Sequence, residues 1–162
     1  DCLDERKMER PDNRFPQRKN PRLKQYDYAT ENYYFVTICT GEKKCIFGSP
    51  NNLNSFGEFS KEGLQLIGTH FPTVKVDKFV VMPNHIHAII ILSADGVKLT
   101  TVVGSYKSYV TKKIHQIDPH IKVWQTSFHD HVIRNRQAYE KIWNYIEYNP
   151  MKWEEDCFYS KI

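Results

Sequence analysis

The sequence predicts one α+β domain with a ferredoxin-like split βαβ fold, a mainly antiparallel sheet and an added C-terminal helix. Two observations predict this fold. Strand-like and helix-like segments follow one another as strand, helix, strand, strand, helix, strand and helix. The 162 residues suffice for one domain with a hydrophobic core, and no repeat or linker divides them. We expect the helices to cover one face of the sheet.

The first half of the chain contains three predicted strands and one predicted helix. Residues 33–40 are rich in β-branched and aromatic side chains, which is typical of a buried strand. Residues 61–71 carry apolar side chains at helical spacing, and residues 74–82 again have strand composition. The nearly continuous apolar run 85–92 predicts a strand that is buried on both faces.

The second half contains two predicted helices separated by a strand. Apolar residues recur at intervals of three and four over 99–117, which predicts an amphipathic helix. Residues 127–133 predict a fourth large strand, and residues 137–148 predict a last helix that ends before Pro150.

The N-terminal segment differs in composition from the rest. Residues 1–25 are polar, proline-containing and basic from Arg10 onward, so we expect a flexible tail before a single domain over 26–162. The net charge of +4 permits a nucleic-acid partner. No apolar run reaches the length of a membrane span, and the cysteines form no C-x-x-C pair. We interpret the cysteines as reduced thiols and the protein as cytoplasmic.

A histidine pair on the third large strand is the first candidate site. His85 and His87 alternate along the strand, so their imidazoles project from the same face, as two ligands of one metal would. Polar rings in an apolar strand need partners, which strengthens the case for a metal, although two histidines can also occur on such a strand by chance. The alternating pair His129 and His131 competes with it, although its more polar surroundings also suit a surface role.

A tyrosine and an amide on the last helix form the second candidate. Tyr145 and Asn149 are four residues apart and therefore share a helical face. A tyrosine can act as a covalent nucleophile, and an amide oxygen can complete a metal shell. Spacing alone leaves the rivals open: Tyr106, Tyr109 and Tyr148.

Five segments together resemble one known family. They are YYFVTICT, FVVMPNHIHAIIIL, GSYKSYVTKKI, VWQTSFHDHVIRN and WNYIEYNP. In this order and spacing they resemble the REP-associated tyrosine transposases, which are single-tyrosine insertion-sequence transposases of the HUH endonuclease superfamily. The resemblance covers roughly residues 20–155.

The resemblance implies a function and assigns residues to it. His85 and His87 match the metal-ligand histidines, Tyr145 the nucleophile and Asn149 a third metal ligand. The resemblance implies binding to hairpin DNA, at repeated palindromes or element ends, and cleavage of a single-stranded flank. Our hypothesis is that this metal-dependent cleavage forms a 5′-phosphotyrosine on Tyr145. The ligand types suit Mg²⁺ or Mn²⁺. A monomer and a homodimer both remain open, depending on whether one chain supplies the whole site.

DNA contacts are expected from basic side chains and one histidine. They lie in the tail, on the second predicted helix and before the last helix: Arg14, Arg18, Lys19, Arg22, Lys24, Lys107, Lys112, Lys113, His131, Arg134 and Arg136. Three alternatives stay open: a hairpin-binding domesticated regulator that does not cleave, a ferredoxin-like RNA-binding domain, and a replication-initiation or relaxase nuclease.

Overall fold

The computed structural model describes residues 31–161. The predicted tail, residues 1–25, therefore lies outside the described residues, as do the five basic side chains that the sequence analysis assigned to DNA contacts there.

A four-stranded antiparallel sheet forms the centre of the molecule. Its strands are β1 (Glu31–Cys39), β4 (Val74–Met82), β5 (His85–Ser93) and β6 (His129–Ile133). They lie in the order β4-β5-β1-β6, which is the strand order of a ferredoxin-like sheet, so the predicted fold class is confirmed. A separate small hairpin consists of two strands of two residues each, β2 (Gly48–Ser49) and β3 (Asn52–Leu53).

Three α-helices and two short 3₁₀ helices complete the described chain. The α-helices are α1 (Ser55–His70), α2 (Leu99–His115) and α3 (Arg136–Tyr148). The 3₁₀ helices are Gly41–Lys43 and Asn149–Glu155, the second continuing directly from α3. None of the helices described between residues 31 and 161 combines the length and the apolar character that a membrane span requires.

The sheet separates two hydrophobic cores. On one face, β1 and β5 side chains such as Val36 and Ile90 pack with α1 and α2. On the other face, Phe35 and Ile89 pack with Ile142 and Ile146 of α3. The expectation that the helices cover one face is therefore wrong for α3. The strands at the centre are apolar on both sides, and a second layer is needed to bury the second side.

Helix α1 begins six residues before its predicted start. Asn54 caps it by accepting a hydrogen bond from the backbone N–H of Gly57 at 3.0 Å. A Cβ at Gly57 would lie 2.4 Å from the carbonyl oxygen of Phe47, so this helical position requires the glycine. Because the first turn of α1 has the composition of a loop, the sequence pattern predicts a start that is too late.

The cysteines only partly match the expectation of reduced thiols. Cys39 and Cys45 are free. Cys157 is disulfide-bonded, so the interpretation is wrong for this residue. Spacing along the chain does not reveal which cysteines meet in space, and the absence of a C-x-x-C pair could not exclude this bond.

Candidate active site

The two histidines of β5 lie side by side on the face of the sheet that α3 covers. Strand β5 is hydrogen-bonded on both edges, to β1 and to β4, so the pleat fixes the spacing of His85 and His87. Their ring centroids are 4.6 Å apart. The His87 ring stacks on Phe35 at 5.2 Å, and the His85 ring contacts Phe158 at 4.5 Å. Both imidazoles therefore lie within an aromatic enclosure.

Each imidazole is fixed through one nitrogen and leaves the other without a partner. The Nδ1 atom of His87 lies 2.8 Å from Thr37 Oγ1, and Nδ1 of His85 lies 2.8 Å from Asn84 Oδ1. Both Nε2 atoms are buried without a hydrogen-bond partner. Buried polar atoms normally have hydrogen-bond partners. These two nitrogens have none, so they are available to bind a ligand.

Asp156 is the third member of this cluster. Its Oδ2 lies 3.7 Å from Nε2 of His85 and has no hydrogen-bond partner. Ligand atoms of His85, His87 and Asp156 all lie within 4.8 Å of one another. Sequence reasoning missed Asp156, because it follows an irregular 3₁₀ helix where periodicity carries no signal. Three acidic residues in a row, Glu154, Glu155 and Asp156, lie between the aromatics Trp153 and Phe158, and nothing in the sequence distinguishes Asp156 from its two neighbours.

The electrostatics of the cluster favour neutral imidazoles. Burial lowers the pKa of His87 to about 3. Burial, followed by repulsion from His87 and Lys43, lowers the pKa of His85 well below its usual value. Burial raises the pKa of Asp156, while hydrogen bonds from the Phe158 backbone and the Asn149 side chain lower it. Neutral imidazole is the form that binds metals.

Tyr145 reaches the cluster from α3. Its ring lies 5.3 Å from the ring of His87 and 6.0 Å from that of Phe35, with both contacts edge-on. Burial raises the pKa of the Tyr145 hydroxyl, the negative charge of Asp156 raises it further, and a hydrogen bond from Asn149 lowers it. The phenol is therefore protonated at neutral pH in the metal-free protein.

Asn149 connects the tyrosine to the metal-ligand candidates. It follows the last residue of α3, and hydrogen bonding by its side chain lowers the pKa of both Tyr145 and Asp156. Its Oδ1 atom is buried and has no partner. An amide oxygen in this state can serve as a metal ligand, as the sequence analysis expected for this residue.

The geometry of the cluster suits a divalent cation. Around an ion with ligands at about 2.1 Å, adjacent ligand atoms lie about 3 Å apart and opposite ones about 4 Å. The His85–Asp156 separation of 3.7 Å falls within that range. Two imidazole nitrogens and one carboxylate oxygen, all three without hydrogen-bond partners, form a donor set for Mn²⁺ or Mg²⁺. Among the residues between 31 and 161, this is the group of three or more His, Cys, Asp or Glu side chains that could hold a metal ion.

Two of the rival tyrosines, Tyr106 and Tyr109, and the lysines of α2 lie away from this cluster. Helix α2 packs on the opposite face of the sheet, where Tyr106 is buried and hydrogen-bonded to Ser60. The ammonium of Lys107 contacts carbonyl oxygens of residues 125–127, at 2.6 Å for Gln125. Lys113 lies over the ring of Tyr109, and Lys112 is exposed. The structure does not bring these lysines together with the histidines.

Of the candidate residues around β6, the two histidines lie on the same face of the sheet as the site, whereas Arg134 and Arg136 follow the end of the strand that is further from His87. His131 pairs with Phe35 across β1 and β6, and His129 pairs with Thr37, so both project from the face that carries His87. His129 is exposed. Arg134 is also exposed, and Arg136 forms an ion pair with Glu140 at 3.1 Å.

Comparisons with known proteins agree with this architecture. Residues 28–149 match the family model described as IS200-like transposase, a range that includes His85, His87, Tyr145 and Asn149 but ends before Asp156. An uncharacterised protein of Haemophilus influenzae is 35% identical over 167 residues, covering 88% of this chain and 93% of that protein.

Two solved structures share the fold. A REP-associated tyrosine transposase bound to a REP hairpin matches with a TM-score of 0.61 and 21% identity, over 79% of this chain and 72% of that one. A Deinococcus radiodurans protein described as a candidate transposase matches with a TM-score of 0.54 and 18% identity, over 80% and 95% of the two chains.

Proposed function

The chain belongs to the IS200-like transposase family, and we propose that it cuts and rejoins single-stranded DNA beside a hairpin with Tyr145 as the nucleophile. The observation that carries this proposal is the contact between the Tyr145 and His87 rings at 5.3 Å, within a cluster of unpartnered ligand atoms. Because a phosphotyrosine link conserves the energy of the phosphodiester, rejoining needs no ATP.

The metal part of the proposal rests on three side chains. His85, His87 and Asp156 hold Mg²⁺ or Mn²⁺, with Asn149 as a further ligand candidate, and the nitrogen ligands favour Mn²⁺. When bound, the ion supplies Lewis-acid stabilisation of negative charge on a non-bridging phosphate oxygen. The protein holds the two imidazoles in their neutral, metal-binding form through burial.

The chemical step exchanges one phosphate ester for another. The Tyr145 oxygen bonds to phosphorus and its phenolic proton is released. The bond from phosphorus to the 3′-oxygen breaks, and that oxygen leaves as a 3′-hydroxyl after taking up a proton. The product is a 5′-phosphotyrosine, which another 3′-hydroxyl can attack in reverse. The hydrogen bond from Asn149 to Tyr145 favours the developing negative charge on the phenolic oxygen.

The DNA partner is proposed from the family and from one relative. A REP-associated tyrosine transposase of the same fold was solved with a REP hairpin, and a hairpin with a single-stranded flank is the substrate we propose here. His131, Arg134 and Arg136 are candidates for phosphate contacts on or just after β6, and a protein acting on such DNA would work at the nucleoid.

A covalent-adduct assay tests this function. Purified protein is incubated with labelled hairpin oligonucleotides from the DNA flanking its gene, with Mn²⁺ or with EDTA, and resolved on denaturing gels. We expect label to travel with the protein only in Mn²⁺, to disappear in Tyr145→Phe and to persist in Tyr159→Phe, a matched change at an exposed tyrosine.

Two other results would change the proposal. An adduct that persists in Tyr145→Phe and disappears in Tyr148→Phe would overturn the assignment of the nucleophile. Tight hairpin binding with no adduct in any condition would favour a DNA-binding regulator that does not cleave.

A further inference from the structure

Asn84 lies at the junction of three parts of the site. It is the residue immediately before His85, it has no exposed surface, and it contacts both the Gly41–Lys43 helix and the C-terminal segment. We propose that Asn84 is a positioning residue that fixes which nitrogen of His85 faces the metal and anchors the segment that carries Asp156. This inference rests on the metal site proposed above.

The orientation of the Asn84 amide is fixed by its two donor bonds. Its Nδ2 donates to the carbonyl oxygen of Phe158 at 2.8 Å and to that of Lys43 at 3.1 Å. Backbone carbonyls can only accept, so the amide nitrogen must point towards them. The opposite atom, Oδ1, therefore points at Nδ1 of His85, 2.8 Å away.

This orientation determines the tautomer of His85. An amide oxygen can only accept, so Nδ1 of His85 must carry a hydrogen. A neutral imidazole carries a single N–H, so the Nε2 atom of His85 has a free lone pair. That atom is the one without a partner, 3.7 Å from Oδ2 of Asp156. Asn84 thus presents His85 to the cluster in its ligating form before any metal binds.

The hydrogen-bond partner of His87 does not determine the tautomer of its ring. Thr37 Oγ1 lies 2.8 Å from Nδ1 of His87, and a hydroxyl can donate or accept. Thr37 therefore orients the ring without selecting the tautomer. The two ligand histidines differ in this respect, and the difference can be measured.

The same asparagine holds the third ligand in place. The backbone N–H of Phe158 donates to Oδ1 of Asp156 at 2.9 Å, and the carbonyl of Phe158 accepts from Asn84 at 2.8 Å. The backbone of Phe158 is thus hydrogen-bonded to Asn84 through its carbonyl oxygen and to Asp156 through its N–H. Because Oδ1 of Asp156 is occupied, Oδ2 is the oxygen that faces His85.

Nitrogen NMR of the histidines tests the tautomer directly. Long-range ¹H–¹⁵N spectra of the metal-free wild-type protein near neutral pH should show His85 as the Nδ1–H tautomer. In Asn84→Ala, His85 should lose this single-tautomer signature. A wild-type spectrum in which His85 is the Nε2–H tautomer would overturn the proposal, and this measurement requires no variant to fold.

Metal affinity provides the second readout. Asn84→Ala should weaken Mn²⁺ binding by about 10–100-fold, measured by electron paramagnetic resonance of the free ion without DNA. The matched control is Asn54→Ala, which removes an asparagine that caps α1, and it should lower stability but leave Mn²⁺ affinity unchanged. Equal Mn²⁺ affinity in wild type and a folded Asn84→Ala would overturn the positioning role.

The outcomes separate this inference from the proposed function. A wild-type protein that binds no Mn²⁺ would remove the metal site and the positioning role together, whatever the tautomer. A protein that behaves as expected in both measurements but forms no DNA adduct would leave the role of Asn84 intact and overturn the proposed cleavage.

Discussion

The ring of Tyr145 lies 5.3 Å from the ring of His87, at an angle of 62°, within one chain. Helix α3, which carries the tyrosine, packs directly on the strand that carries the histidine. The candidate nucleophile and the candidate metal ligands are thus assembled without a second copy of the protein.

This arrangement predicts an active site that functions in cis. Mixing Tyr145→Phe with His87→Ala should yield no covalent adduct, because neither chain contains both groups. The measurement is the adduct assay on the mixed variants, with each variant alone and the wild type as references. Recovery of adduct in the mixture would show that α3 is exchanged between subunits and would contradict a cis site.

Removal of the third ligand candidate should weaken metal binding. Asp156→Ala should lower Mn²⁺ affinity at least about tenfold, because an unpartnered carboxylate oxygen is lost from the cluster. The Mn²⁺-induced rise in Tm gives the measurement, and Glu154→Ala, two residues away and exposed, is the control. A Tm shift in Asp156→Ala equal to that of wild type would exclude this carboxylate from the metal site.

The buried histidines predict a pH-dependent stability in the metal-free protein. The pKa of His87 is about 3 in the folded state and near 6.5 when unfolded, so the unfolded chain binds more protons below pH 6.5. His87 therefore stabilises the fold fully above pH 6.5, and this contribution is lost as the pH falls towards about 3. In EDTA, the contribution of His87 should lower the free energy of unfolding by about 1.4 kcal/mol for each pH unit of acidification below about pH 6.5.

A comparison of variants isolates this contribution. Burial raises the pKa of Asp156, so its contribution to stability depends on pH in the opposite direction to that of His87. To separate the two, the wild type is compared with His87→Phe by urea denaturation between pH 5 and pH 7. The wild type should show the steeper loss of stability on acidification, and His120→Gln, at an exposed histidine, should match it. Equal slopes for wild type and His87→Phe would contradict the lowered pKa of His87.

The core beneath the tyrosine predicts a stability effect. Ile146 is fully buried against β1 and β5, so Ile146→Ala should cost about 2–5 kcal/mol in the free energy of unfolding. Ile117→Ala, at a side chain that is 60% exposed, should change it by less than about 0.5 kcal/mol. Chemical denaturation of both variants checks this, and a comparable cost at the two sites would contradict the packing of α3.

Two lysines on α2 should respond differently to the same substitution. Lys107 donates to a loop carbonyl at 2.6 Å, so Lys107→Met should cost about 1–3 kcal/mol of stability. Lys112 is exposed, so Lys112→Met should leave stability unchanged. If Lys112 contacts phosphate, as its charge predicts, its loss should weaken the salt dependence of hairpin binding. The slope of the logarithm of the binding constant against the logarithm of salt concentration should become shallower by about one. Equal stability of the two variants would remove the structural role of Lys107.

The predictable parts of this protein are those with regular periodicity. Alternation along β5 placed His85 and His87 on one face, and the order of elements predicted the ferredoxin-like sheet. Spacing alone could not distinguish Tyr145 from the other tyrosines, because packing against His87 is a tertiary contact. The resemblance of the motifs to a known family was needed for that choice.

The unpredicted parts depend on irregular backbone or on tertiary packing. Asp156 follows a 3₁₀ helix in which one residue, Lys152, departs from helical geometry, so no period assigns its direction. The position of α3 on the second face of the sheet was also missed. Its amphipathic pattern shows that one side is buried but not which surface buries it.

The two sides of the candidate coordination shell are held by different kinds of structure. His85 and His87 belong to a strand that is paired on both edges, so neither can shift without disturbing the whole sheet. Asp156 follows a short 3₁₀ helix, and its carboxylate is held through hydrogen bonds that run from Phe158 to Asn84. The sheet therefore fixes the distance between the two imidazoles, whereas the distance from the imidazoles to the carboxylate depends on the hydrogen bonds of the C-terminal segment.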